Sequence, residues 1–186
     1  MATVQYQCTM SLDGFIAGPG GDMGWLNRFN APNPVVARLR EGTGSILVGR
    51  HTFGGDDPNR GTENEGEAYG GGWSGEQFVL THRIPKQSVP GVTFLSGLEE
   101  AVAAAKAAAG GKWVGVLGAH VAAQCIEAGL LDEVYVVVAP ILLGGGVRLF
   151  DRPQGPYVDL ERIEAEIAAN EVNARFRVVK HDTREE

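Results

Sequence analysis

Apolar and polar residues change rhythm several times along the chain, and each change marks an element. Residues 3–10, TVQYQCTM, alternate loosely and carry β-favouring side chains, which predicts a first strand. Residues 11–26, SLDGFIAGPGGDMGWL, follow as a glycine-rich loop with apolar residues inside it. Residues 34–41 predict a short helix: Pro34 suits the first turn, Val35, Val36 and Leu39 form a face, and Gly42 and Gly44 end it. SILV, 45–48, reads as a buried strand, and EQFVLTHR (76–83) and GVTFL (91–95) supply two more. Ser96 and Glu99 have the spacing of a capping box at the head of an alanine-rich helix. Leu98, Val102 and Ala105 make its buried face, and Gly110-Gly111 stop it.

KWVGVLG, 112–118, is a buried strand that leads into a helix over 119–128, with Val121, Cys125 and Ala128 at helical spacing and Gly129 as its C′ residue. DEVYVVVAPILL, 132–143, predicts a strand broken by Gly144-Gly145-Gly146. Val172, Ala174, Phe176 and Val178 alternate with polar residues, as a half-exposed strand does. ERIEAEIAA, 161–169, reads as helix or strand; strand is favoured, giving a terminal antiparallel pair. Strands alternating with helices predict an α/β fold with a mostly parallel central sheet. Residues 54–75 interrupt the pattern. They are acidic and glycine-rich with few apolar anchors, and read as a mobile surface loop or a lid. No linker of domain scale appears, so residues 1–186 read as one domain.

Charge narrows the function classes. The net charge is −7 with no basic block, which argues against nucleic acid or an anionic membrane as main partner. No apolar run is long enough to span a bilayer and no targeting segment is evident, so the expectation is a soluble, cytoplasmic protein. Cys8 and Cys125 are far apart and read as reduced core thiols. His51, His82, His120 and His181 show no metal-ligand spacing, so no metal is expected. GPGGDM lacks the third glycine of a Rossmann fingerprint, GWSGE is not a nucleophile elbow, and no P-loop is present.

What remains is a set of strand ends. The 27 glycines cluster between apolar runs, where the backbone approaches something closely. Gly49-Arg50, Thr81-His82-Arg83 and Gly118-Ala119-His120 all follow predicted strands, and the ligand crevice of a parallel sheet lies beyond its carboxyl ends. The N–H groups of Ala119, His120 and Val121 would point at a pyrophosphate from a helix N-terminus. Arg50 would pair with a second phosphate, and Thr52, Thr81 and His82 add donors. On spacing alone, ordinary turns with solvated cations remain the alternative.

SLDGFIAG, ILVGRHTF, VLTHR and VGVLGAHVAAQCIEAGLLDEVYVVVAPILLGGGVRLF together resemble the dihydrofolate reductase superfamily. The longest block is most similar to the C-terminal reductase domain of the bacterial bifunctional deaminase-reductase of riboflavin synthesis and its stand-alone relatives. The resemblance implies a dihydrofolate reductase-like fold, with helices on both faces of the sheet, and NADPH as cofactor. It assigns Gly49, Arg50 and Thr52 to the adenosine-side phosphates and Thr81, His82 and Arg83 to the neighbourhood of the 2′-phosphate. Gly118, Ala119, His120 and Val121 become the pyrophosphate turn, with Ala119 standing where the family has a second glycine. Ala17 and Gly18 match the loop that meets the nicotinamide. A homodimer is also implied, with VYVVVAPILL and the triple glycine as interface material. Two cysteines and no H-x-E pattern exclude the zinc site of the deaminase half, which is expected to be absent.

The implied activity is NADPH-dependent reduction of a small heterocyclic or carbonyl-type substrate. Asp13 is the leading acid or substrate hydrogen-bonder, with an Asx-turn at Asp13-Gly14 as its structural alternative and Asp22 as a weaker candidate. The alternative of another class is a non-enzymatic NADP-binding protein. A true dihydrofolate reductase is not expected. Counting back from Gly49 puts Asn33 where the family's acid would stand, and Glu41 lies at the far end of the helix.

Overall fold

The N-terminal strand lies in the middle of the molecule, flanked by segments more than a hundred residues away. The computed structural model describes residues 1–29, 31–59, 61–63, 66–152 and 155–180. In chain order its elements are β1 (Val4–Ser11), β2 (Phe15–Ala17), α1 (Pro34–Gly42), β3 (Thr43–Gly49), the single-turn α2 (Arg50–Phe53), β4 (Glu76–Leu80), β5 (Val92–Leu95), α3 (Leu98–Ala108), β6 (Trp113–Leu117), α4 (Ala119–Glu127), β7 (Glu133–Ala139), β8 (Val147–Arg148), β9 (Leu160–Ala168) and β10 (Glu171–Val178). Eight strands form one sheet in the order β5-β4-β3-β6-β1-β7-β10-β9, while β2 and β8 pair separately. From β5 to β7 every pairing is parallel; β10 runs antiparallel to both β7 and β9. The fold is therefore dihydrofolate reductase-like, as the resemblance implied.

Alternation along each strand sorts its side chains onto two faces. One face carries Val4, Tyr6, Leu47, Phe78, Val114, Val116, Val134 and Val136, packed against Ala101, Val102 and Ala105 of α3 and Val121, Ala122 and Cys125 of α4. The other face is divided. Val35 and Leu39 of α1 cover Tyr135 and Val137, while Ala68, Tyr69 and Trp73 cover Ile46, Val48 and Val79. Burial pushes both thiols, Cys8 and Cys125, up to about 12, which suits inert core positions.

Several expectations change in detail. The capping box does not form: Gly97, one residue after Ser96, is the N-cap of α3, and no side chain caps it. Glu99 and Glu100 instead sit in the first turn, where the helix dipole favours them. The second predicted strand begins at Thr43 rather than Ser45, because its start packs tightly on α3 and Gly44 leaves room for the carbonyl of Ala109. Phe15–Ala17, hidden in a loop by its glycines, is a strand paired with Val147–Arg148. β7 stops at Ala139, so Ile141 to Leu143 are not strand. It is also paired on both sides, with β1 and β10, so it has no free edge to offer as interface.

The acidic loop also differs from its reading. Residues 60, 64 and 65 lie outside the described residues, but 66–75 form a strap with anchors. Tyr69 reaches the sheet, where its hydroxyl donates to Gln7 Oε1 and lies 3.3 Å from Thr43 Oγ1. Trp73 Nε1 donates to the carbonyl of Thr43 at 2.9 Å. These two aromatics are the apolar anchors that the composition of the segment concealed.

Candidate functional site

The carboxyl ends of β4, β3 and β6 are neighbours in the sheet, so three separated sequence segments meet on one rim. At the end of β3, Gly49 is the extended N-cap of the single-turn α2, which presents Arg50, His51 and Thr52 at the surface. At the end of β6, Gly118 caps α4 with φ +94°, a left-handed conformation that suits glycine. A Cβ there would overlap the hydroxyl of Thr52, so the β3 and β6 turns interlock through this contact. Gly49 makes a similar approach, with a Cβ position only 3.0 Å from Val121 Cγ2.

This packing leaves the head of α4 open. Among the described residues no side chain caps the helix, and its first intrahelical bond runs from Ala122 N to Gly118 O at 3.2 Å. The N–H groups of Ala119, His120 and Val121 thus face the rim, at the positive end of a helix dipole. Ala119 occupies a helical position, where its methyl is compatible with the turn. Arg50, His82, Arg83 and His120 are exposed, and no hydrogen bond or ion pair engages the side chains of Arg50 and Arg83 among the described residues. Thr81 differs: it is buried, and its Oγ1 accepts from Arg83 N at 3.0 Å, which shapes the turn carrying His82 and Arg83. In a chain of net charge −7, two unpaired guanidiniums and an uncapped helix head at neighbouring strand ends are groups that could hold an anion. The donor set fits a ligand with separated phosphate groups, such as a phosphorylated dinucleotide.

Asp13 has a different task. Its carboxylate accepts from Leu143 N at 3.1 Å and Gly144 N at 2.8 Å, tying the loop after β1 to the segment after β7. The Ser11 hydroxyl, with these backbone N–H groups, holds the carboxyl down at about 2. Such a group accepts hydrogen bonds at neutral pH and is a poor proton source. Asp22 forms a local turn, with Oδ1 accepting from Gly24 N at 2.9 Å. Ala17 and Gly18 are buried between β2 and the triple-glycine segment, beside the Asp13 tie.

Asn33 is the N-cap of α1: its Oδ1 accepts from Val35 N at 2.9 Å. Its Nδ2 donates to Glu171 Oε2 at 2.6 Å and lies 3.3 Å from Asn173 Oδ1. Glu171 was not among the sequence candidates. Nothing in its local sequence marks it; only the β7–β10 pairing brings it to the carboxyl end of the sheet. A row of buried polar residues was also missed. Arg175 donates to both oxygens of Glu133 at 2.9 and 3.0 Å, Gln5 Nε2 donates to Glu133 at 2.8 Å, and Gln7 Nε2 donates to Gln5 at 2.8 Å. The alternation Gln5, Gln7 within β1 was the one available signal.

The sheet is dihydrofolate reductase-like, and its rim gathers Arg50, Arg83 and the uncapped head of α4. The chain belongs to the RibD C-terminal domain family, which matches residues 2–172. A protein of Shewanella sp. PV-4 described as a riboflavin biosynthesis protein shares the fold with a TM-score of 0.72 and 24% identity, over 97% of this chain and 100% of that one. The diaminohydroxyphosphoribosylaminopyrimidine deaminase/5-amino-6-(5-phosphoribosylamino)uracil reductase of Thermotoga maritima follows with a TM-score of 0.68 and 18% identity; 96% of this chain matches 57% of that one. Dihydrofolate reductase of Enterococcus faecalis, complexed with NADP(H) and RAB-propyl, gives a TM-score of 0.63 at 18% identity, over 96% of this chain and 97% of that one. Among curated proteins none matches the chain. The family is one of reductase domains, and the chain is accordingly read as an oxidoreductase.

Proposed function

We propose that the chain is an NADPH-dependent reductase of a small heterocyclic substrate of the phosphoribosylaminopyrimidine kind, and not a dihydrofolate reductase. The observation that carries the reading is the convergence of Arg50, Arg83 and the open head of α4 on one rim. NADPH, when bound, supplies the hydride. The residues of the chain do the rest. The first-turn N–H groups of α4 would hold the pyrophosphate, Arg50 and the Thr81–Arg83 turn would hold the adenosine-side phosphates, and the Ala17-Gly18 segment would meet the nicotinamide end. Against dihydrofolate stands Asn33, whose amide is committed to a helix cap and to Glu171.

Calorimetric titration with NADPH and NADH tests the cofactor. A charge-assisted hydrogen bond is worth about 1.5–3 kcal/mol, so Arg50→Ala should weaken NADPH roughly 10- to 150-fold while NADH barely changes. Equal loss for both would move Arg50 to the pyrophosphate. Consumption of NADPH with 5-amino-6-(5-phosphoribosylamino)uracil separates a reductase from a nucleotide binder that turns nothing over.

A further inference from the structure

Two glutamates are buried on the divided face of the sheet: Glu133 is 9% exposed and Glu171 6%. Their surroundings differ sharply. Glu133 receives the Nε and Nη2 of Arg175 and the amide of Gln5, so its charge is balanced and both oxygens are bonded. Glu171 receives one neutral amide, from Asn33, on Oε2. Among the described residues Oε1 has no hydrogen-bond partner, no cation pairs with the carboxylate, and Oε1 is not among the sealed-in orphan atoms. A buried carboxyl left without a cation usually has a task other than stability.

Position distinguishes them further. Glu133 opens β7, at the amino end of the parallel strands, whereas Glu171 opens the antiparallel β10 and therefore lies at their carboxyl end. Along that rim the order is β4, β3, β6, β1, β7, β10. The anion-binding residues occupy the first three places. Ser11 ends β1 and Asp13 follows it, and Glu171 stands at the last place, about 14 Å from the β6 turn at ordinary strand spacing. A dinucleotide with its phosphates held at the β3 and β6 turns and its adenosine end at β4 would have its reactive end on the β1 side, the side on which Glu171 stands.

We propose that Glu171, oriented by Asn33, is the proton donor of the reduction, a residue that touches the substrate. This rests on the reductase reading above. The carbon of a C=N or C=O bond gains the hydride that bound NADPH supplies, and the π pair moves to the heteroatom. Glu171 gives that atom its proton, leaving a carboxylate that solvent reprotonates. Burial pushes the Glu171 carboxyl up, only partly opposed by the Asn33 bond, so the acid form persists to higher pH than in an exposed glutamate. Asn33 and Asn173, which flank it, are neutral, and its β9 partner is Ala168. The charges nearest along these elements, Arg38 of α1 and Glu166 of β9, pair with each other. Asp13, held at about 2, does not compete for the role.

The test is steady-state NADPH oxidation with 5-amino-6-(5-phosphoribosylamino)uracil from pH 5 to 9, alongside a carbon-13 NMR titration of the Glu171 carboxyl. Glu171→Gln keeps an acceptor for Asn33. It should lower kcat roughly 100-fold or more, leave NADPH affinity within about twofold, and abolish the decline of kcat as pH rises through the Glu171 pKa. Glu171→Asp should restore part of the rate. A Glu171→Gln protein with wild-type kcat and pH profile overturns the proposal, as does a loss of rate matched by an equal loss of NADPH affinity. The titration decides independently of turnover: a raised pKa supports the assignment, and an ordinary value near 4.3 overturns it. Wild-type protein that binds NADPH but consumes none with this pyrimidine overturns the substrate reading, and leaves the titration to decide Glu171.

Discussion

The two faces of the central sheet solve the same burial problem in opposite ways. The α3–α4 face is mostly apolar, from Val4 and Tyr6 to Val134 and Val136, and most of its contacts are non-directional; the exceptions are Ser45 Oγ, which donates to the Ala105 carbonyl at 2.7 Å, and the Tyr6 hydroxyl, which donates to the Leu149 carbonyl at 3.3 Å. The opposite face buries Gln5, Gln7, Thr43, Glu133 and Asn173, and each of these needs particular partners at particular distances. Arg175 anchors one end of that row, stacked 5.0 Å over Trp113, and Tyr69 closes the other. The first face supplies stability in bulk; the second fixes orientation, and it is the one that carries Asn33 and Glu171 to the rim. Functional geometry therefore depends on the face that contributes less apolar area.

Removing bulk from the apolar face should give the largest loss. Leu47 is fully buried there, and Leu47→Ala is expected to cost about 3 kcal/mol in urea unfolding, within the usual range for core truncations. It should leave the 66–75 strap in place. Adding one carbon to the other face should cost less but act more locally. A Cβ at Gly115 would lie 2.6 Å from the Tyr69 hydroxyl and 3.2 Å from Gln7 Oε1, so Gly115→Ala should cost roughly 1–3 kcal/mol. Amide exchange in 66–75 should rise with it; if Gly115→Ala costs more than Leu47→Ala, the division of labour is reversed. The smallest effect concerns the rim. Hydrogen bonding holds the Asp13 carboxyl in the folded state at about 2, below the usual carboxylate range, so its contribution is fully present above about pH 4 and is lost as pH falls toward 2. Amides of Leu143 and Gly144 should stay protected down to pH 4 and lose protection below it, and Asp13→Asn should remove this dependence.

The apolar face was legible from sequence because alternation and helical spacing are local signals. Val102 and Ala105, or Val121 and Cys125, announce their own burial. The rim was partly legible for a related reason: small residues and cations that follow strands mark carboxyl ends, and Gly49-Arg50 and Gly118-Ala119 stand where that logic put them. The polar face was not. Gln7 meets Tyr69 across 62 residues, and Asn33 meets Glu171 across 138. No window of sequence holds both partners, so Tyr69 disappeared into a glycine-rich loop and Glu171 into the short gap between the last two strands. The capping box failed for a smaller reason, since Gly97 offers the extended conformation that an N-cap needs, one residue after Ser96.

The central place of β1 also has a consequence for how the chain comes together during synthesis. The strand made first cannot be paired until Val114 to Val116 have been made, and its second neighbour arrives only with Glu133 to Ala139. Until then the row from Val4 to Ser11 has both edges open, the condition under which strands pair wrongly with one another. β7 inherits the same exposure until β10 folds back onto it. Folding is thus paced by contacts of long sequence separation, which are slow to form. The alternation of Gln5, Gln7, Thr9 and Ser11 with Val4, Tyr6, Cys8 and Met10 places a polar side chain at every second position of β1 while that strand waits.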